Sequence, residues 1–146
     1  MSQNLPGGTH AHHSSTAGNR VANVVGALLA VAVSVIHVAD QGGLTAMKDP
    51  AYLGYGYWLL ELAGVICAVL LFTRARSISW VLALGVAAGP LIGITISRSI
   101  GLPDATDDIG NWFEPLGMLA MAAEAVLLVL ALAVLTRTRA ATRVRA

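Results

Sequence analysis

Residues 113–135 read FEPLGMLAMAAEAVLLVLALAVL. Between Glu114 and Arg137 this run carries one charged side chain, Glu124. About 20 mainly apolar residues are what an α-helix needs to cross the hydrocarbon core of a bilayer. Three further runs of similar character come before it: Val21–Ala39, Tyr52–Phe72 and Ile78–Ser97. The chain as a whole has 146 residues, 56% hydrophobic and 12% charged. Its mean hydropathy is +0.72, and a soluble domain of this size carries about 25% charge. The expected fold is therefore all-α, a four-transmembrane-helix antiparallel bundle over residues 20–136. Residues 1–19, rich in Gly, Ser, Thr, Asn and His, read as a disordered cytoplasmic tail, and residues 137–146 as a basic cytoplasmic tail.

The charges between the runs alternate in sign along the chain. Arg20, Arg74, Arg76, Arg137, Arg139, Arg143 and Arg145 fall in the first, third and fifth polar stretches. Asp40, Asp49, Asp104, Asp107, Asp108 and Glu114 fall in the second and fourth, with Lys48 and Arg98. An excess of Lys and Arg marks the cytoplasmic side of a membrane protein, which predicts both termini inside. The net charge of +1 hides this separation.

Within the runs, small residues mark the packing faces. Asn23, Gly26, Ala30, Ser34 and His37 share one sector of the first helix, and Glu61, Gly64 and Ala68 share one face of the second. Small residues let helices approach closely in lipid. Gly85, Gly89 and Gly93 form a doubled G-x-x-x-G in the third helix, a candidate seam for a homo-oligomer or a larger membrane complex. Pro90 removes a backbone donor there and predicts a kink or local unwinding. Tyr52, Tyr55, Tyr57 and Trp58 read as interfacial anchors at the start of the second helix. Leu102, Ile109, Trp112 and Phe113 are expected to fold the second outer loop back as a cap.

Glu61 and Glu124 carry the sharpest chemical signal. An ionised carboxylate in hydrocarbon costs several kcal/mol, so such residues face a bundle interior or a wet cavity. The alternative for each is a neutral carboxyl that hydrogen-bonds to a neighbouring helix. His37 and Asp40 stand one turn apart near the outer end of the first helix. Arg98 and Glu114 bracket the outer ends of the third and fourth helices. Together with Trp112 these residues form the candidate ligand-binding set: His37, Asp40, Glu61, Arg98, Trp112, Glu114 and Glu124. A histidine with carboxylates suits a transition metal, so His37, Asp40 and Glu61 are the candidate metal ligands. His37 with Met118 and Met121 is the alternative for Cu(I).

Other chemistries lack their signatures. The sequence has no phosphate-cradling glycine loop, no paired cysteines, no H-E-x-x-H and no G-x-S-x-G. Cys67 is the one cysteine and reads as a small buried hydrophobe. The basic residues lack the fold context that nucleic-acid binding requires.

The stretch Gly89-Pro90, Ser97-Arg98-x-x-Gly101-Leu102-Pro103, Gly110-Asn111-Trp112-x-Glu114-Pro115-Leu116-Gly117 resembles uncharacterised small four-helix integral membrane proteins of high-G+C Gram-positive bacteria. The resemblance covers about half the chain. It implies a multi-pass protein of the bacterial cell membrane and brings no activity with it. The reading that follows is an outward-facing polar site between the helices that binds a cation or small ligand, with transport as a variant. One alternative is an accessory or assembly subunit of a larger membrane complex. Another is a small membrane enzyme with His37 and Glu61 as base and acid, though nothing in the spacing demands it.

Overall fold

The computed structural model describes residues 10–73 and 75–143. The order of elements is α1 (His10–Gln41), α2 (Ala51–Leu70), α3 (Arg76–Ile100) and α4 (Pro115–Arg143). All four helices are long and apolar enough to cross a membrane, over Gly18–Gln41, Ala51–Leu70, Ser77–Ile100 and Pro115–Arg143. Most of each span faces outward, and Val21, Leu28, Val35, Leu59, Leu62, Ile78, Ile92 and Val129 are exposed. A soluble bundle would turn such residues inward; a bilayer solvates them. α1 starts at His10, so it extends into the stretch expected as a tail.

Local chemistry sets the helix ends. α2 follows Pro50, whose backbone is extended. α3 stops at Gly101, whose φ of +83° is unfavourable for any residue with a Cβ. The Gly101 N–H returns to the carbonyls of Ile96 and Ser97. Glu114 precedes α4 and accepts hydrogen bonds from the Leu116 and Gly117 N–H groups, so its carboxylate caps the positive end of the helix. Pro115 occupies the first helical position, where its missing N–H costs nothing. Pro90 lies inside α3, yet the helix runs through it without a break, so the expected unwinding does not occur.

α1 packs against α2 and α4, α3 packs against the same two helices, and α1 and α3 touch across the diagonal. The core is built of small and medium residues: Ala27, Ala30 and Val33 of α1, Cys67, Ala68 and Leu71 of α2, Trp80, Ala83, Val86 and Ala87 of α3, Leu127 and Ala131 of α4. Two glycines of the packing faces make this closeness necessary. A Cβ on Gly26 would meet the Trp80 ring at 2.7 Å, and one on Gly64 would run into Ser34 Oγ and the Ala30 carbonyl. Ser34 uses the close approach to donate to the Glu61 carbonyl at 3.0 Å. The glycine ladder of α3 does the opposite. Nothing lies within 4 Å of a Cβ on Gly85, Gly89 or Gly93, so the ladder faces away from the bundle.

The two acidic connections meet: the Tyr52 hydroxyl donates to the Pro103 carbonyl at 2.6 Å. The α3–α4 loop is pinned to the end of α3 by the Gly110 N–H on the Arg98 carbonyl at 2.9 Å and by Ile109 against Gly101. Ile109 thus reaches the end of α3 while staying half-exposed; Trp112 is also partly exposed, and Phe113, at 84%, does not fold back. Aromatic rings at a helix end gain more from the membrane interface than from covering polar groups.

Gly64→Ala should destabilise the protein by about 1–3 kcal/mol, the cost of overpacking a tight contact. Gly85→Ala should leave stability unchanged or raise it slightly. Titration of folded protein with a denaturing detergent measures both, and equal stability of Gly64→Ala and wild type would refute the close α1–α2 contact.

Candidate functional site

His37 stands on the packing face of α1 and is 8% exposed. Its Nδ1 lies 3.0 Å from the Val33 carbonyl one turn back. A carbonyl only accepts, so Nδ1 carries the proton and Nε2 is left to face α4. There it meets Glu124 Oε1 at 3.6 Å. Glu124 is 1% exposed, and its Oε1 has no hydrogen-bond partner among the described residues. Without a proton between them, Nε2 and Oε1 are two buried lone-pair acceptors opposite each other. One proton removes that conflict, either as imidazolium beside carboxylate or as neutral imidazole beside carboxylic acid.

Polar residues lead from this pair toward the acidic end. The Tyr57 ring is tilted against the His37 ring with centroids 5.2 Å apart. The Tyr57 hydroxyl donates to Asp40 Oδ2. The same oxygen lies 3.2 Å from Lys48 Nζ, and both side chains of that ion pair are partly exposed. Lys48 also sits 5.6 Å over the Tyr57 ring, which adds a cation–π contact.

Arg98 and Glu114 form a separate unit. The Arg98 side chain, 5% exposed, reaches Glu114 Oε2 with Nη2 at 3.3 Å. Gly117 makes room for it, because a Cβ there would collide with the guanidinium. Arg98 Nη1 is buried without a partner. Glu114 thus does two jobs, capping α4 and neutralising a buried cation.

The structure brings together His37 with Glu124, Asp40 with Tyr57 and Lys48, and Arg98 with Glu114. Glu61 joins none of these. Its carboxyl lines a groove between α1 and α2 that His37 does not line. Among the described residues, no three His, Cys, Asp or Glu side chains gather as a metal-ion site. The expected trio of His37, Asp40 and Glu61 is therefore corrected: Asp40 is held by Tyr57 and Lys48, and Glu61 points elsewhere. Met118 is exposed. Among the described residues, the polar contacts of the His37 ring are with Val33 and Glu124, not with Glu61. Trp112 is exposed in the loop and does not close the site.

Two contributors escaped the sequence reading. Tyr57 was legible as an interfacial ring, but it sits one turn before Glu61 on α2 and reaches Asp40 on α1. Gln41, one turn after His37, is buried, donates to the Gly43 carbonyl at 3.1 Å and leaves its Oε1 unpartnered. The four-residue spacing of His37 and Gln41 was the available signal.

Comparison of the chain with protein-family models, curated proteins and solved structures finds no match. The residues carry the functional argument by themselves.

Glu114→Ala should cost on the order of 3 kcal/mol, because it removes a helix cap and strands a buried guanidinium. Glu114→Ala combined with Arg98→Leu should recover part of that loss. Detergent-unfolding midpoints of the single and double variants test the coupling, and strict additivity would contradict it.

Proposed function

We propose that this chain is a multi-pass protein of a bacterial cell membrane that takes up a cation, in the simplest case a proton, at the buried His37–Glu124 pair. Its helices run antiparallel, and both termini lie on the cytoplasmic side with the arginines. The cation enters from the opposite, acidic side past Lys48, Asp40 and Tyr57. One observation carries this reading. His37 Nδ1 is committed to the Val33 carbonyl, so Nε2 and Glu124 Oε1 oppose each other at 3.6 Å, a separation that a proton on either group would turn from repulsion into attraction.

The acidic loops support the direction of entry. With Asp40 paired to Lys48 and Glu114 to Arg98, Asp49, Asp104, Asp107 and Asp108 leave a net negative charge at one end, which raises the local concentration of cations. Transport would need a second opening on the arginine side, past the small residues of the core. A proton needs the least room of any cation to make that passage.

A second reading is favoured by the glycine ladder. Gly85, Gly89 and Gly93 face away from the bundle and leave the α3 backbone open to another helix. In this reading α3 is the seam of an oligomer, or of a larger membrane complex in which the chain is an accessory or assembly subunit. The two readings are compatible, since the His37–Glu124 pair lies between α1 and α4.

Infrared difference spectra of the protein in lipid nanodiscs, between acidic and alkaline buffer, test the first reading. A carboxyl band should report uptake of one proton by the pair, vanish in Glu124→Gln and move in His37→Gln. Identical spectra for wild type and Glu124→Gln would refute it. For the second reading, Gly85→Leu with Gly93→Leu should convert an oligomer to a monomer in single-molecule photobleaching in liposomes. A wild type that is monomeric at every density would exclude a seam between copies.

A further inference from the structure

Glu61 is the remaining intramembrane carboxylate, and the His37–Glu124 reading does not use it. It is 9% exposed, and its Oε1 is buried with no hydrogen-bond partner among the described residues. Glu61 lines a lateral groove of about 560 Å³ between α1 and α2. That volume is in the range of small-molecule sites, roughly 300–1,000 Å³. The groove is otherwise apolar, walled by Val35, Val38, Leu44, Trp58 and Leu62. Its other polar groups are already engaged. Ser34 Oγ donates to the Ala30 and Glu61 carbonyls, and Trp58 Nε1 donates to the Ala46 carbonyl. The unmet requirement is therefore a single hydrogen-bond donor at the Glu61 carboxyl.

The position of the groove says where that donor comes from. Val35 and Leu62 at its rim belong to the exposed apolar surface that the spans turn outward, while Leu44 comes from the α1–α2 connection. In a bilayer this surface meets acyl chains, so the mouth opens sideways into lipid. A molecule already dissolved in the membrane can reach the groove through the Val35 and Leu62 side of its rim.

We propose that the α1–α2 groove binds a membrane-dissolved amphiphile, with its apolar body against Val35, Val38, Leu44, Trp58 and Leu62 and an O–H or N–H group donating to Glu61. The site is distinct from the His37–Glu124 pair and stands or falls separately. The carboxyl recognises the donor head, and the groove recognises the chain. Leaving a buried carboxyl oxygen without a partner is unfavourable, and the ligand's head group relieves that cost.

The test uses the full chain in nanodiscs doped with dodecan-1-ol or dodecylamine, and native mass spectrometry counts the molecules retained per chain. Wild type should hold one molecule of at least one probe. Retention should fall about tenfold in Glu61→Leu, which removes the acceptor. It should fall as much in Val38→Trp, which fills the groove and leaves Glu61 in place. Glu61→Gln sorts the head group: if alcohol is retained and amine lost, a cationic head is recognised by charge as well as by hydrogen bonding. If both are retained, the acceptor oxygen alone suffices. Equal retention by wild type, Glu61→Leu and Val38→Trp, or no retention by wild type of either probe, would overturn the proposal. Unchanged infrared spectra of the His37–Glu124 pair in Glu61→Leu would show that the two sites are separate.

Discussion

The hydrogen bond from His37 Nδ1 to the Val33 carbonyl governs what the interior of this bundle can do. A histidine within an apolar helix has two nitrogens to satisfy and no water to satisfy them. Here the helix backbone takes one, because Val33 is one turn back and its carbonyl accepts a second donor. The other nitrogen is then aimed across the α1–α4 interface at Glu124. Rotating α1 by a single residue would carry the imidazole away from α4, so that Nε2 loses Glu124 while Nδ1 keeps the Val33 carbonyl of its own helix. The orientation of α1, and with it the packing of its small residues against α2 and α4, is tied to this one ring.

The rest of the fold is consistent with that orientation. Ala30 and Ser34 lie on the same side of α1 as His37, and they are what Gly64 of α2 must accommodate. Ser34 closes the contact with a bond to the Glu61 carbonyl. Gly26, farther down the same face, seats Trp80 of α3. In lipid no hydrophobic effect draws helices together, so close backbone approach and buried hydrogen bonds carry the association. A face of Asn23, Gly26, Ala30, Ser34 and His37 supplies both.

Much of this was legible beforehand, and the parts that were not have a common cause. The four spans are visible because hydropathy over a long run does not depend on how helices rotate. The packing faces of α1 and α2 were legible from the spacing of small residues, and the Glu114 cap from its place before Pro115. Pairings between helices were not legible. The choice of Glu124 rather than Glu61 for His37 depends on helix rotation and crossing, which no single helix encodes. The glycines of α3 illustrate the same limit. Their spacing marks a face suited to close contact, but Trp80, Ala83, Val86 and Ala87 occupy the interior instead. Trp112 and Phe113 were misplaced because an aromatic loop residue satisfies a cap and a membrane interface equally well on composition.

The two intramembrane glutamates show how one helix creates two environments. Both reach the packing face of α1, but at different residues. Glu124 comes from α4 to the His37 side, where a second ionisable group waits and the packing is closed. Glu61 comes from α2, where α1 presents Ser34, Val35 and Val38. Ser34 spends its proton on backbone carbonyls, and the valines have none to give. The carboxyl of Glu124 therefore faces an imidazole, while Glu61 stands beside an apolar groove. The difference follows from which residues of α1 each glutamate meets.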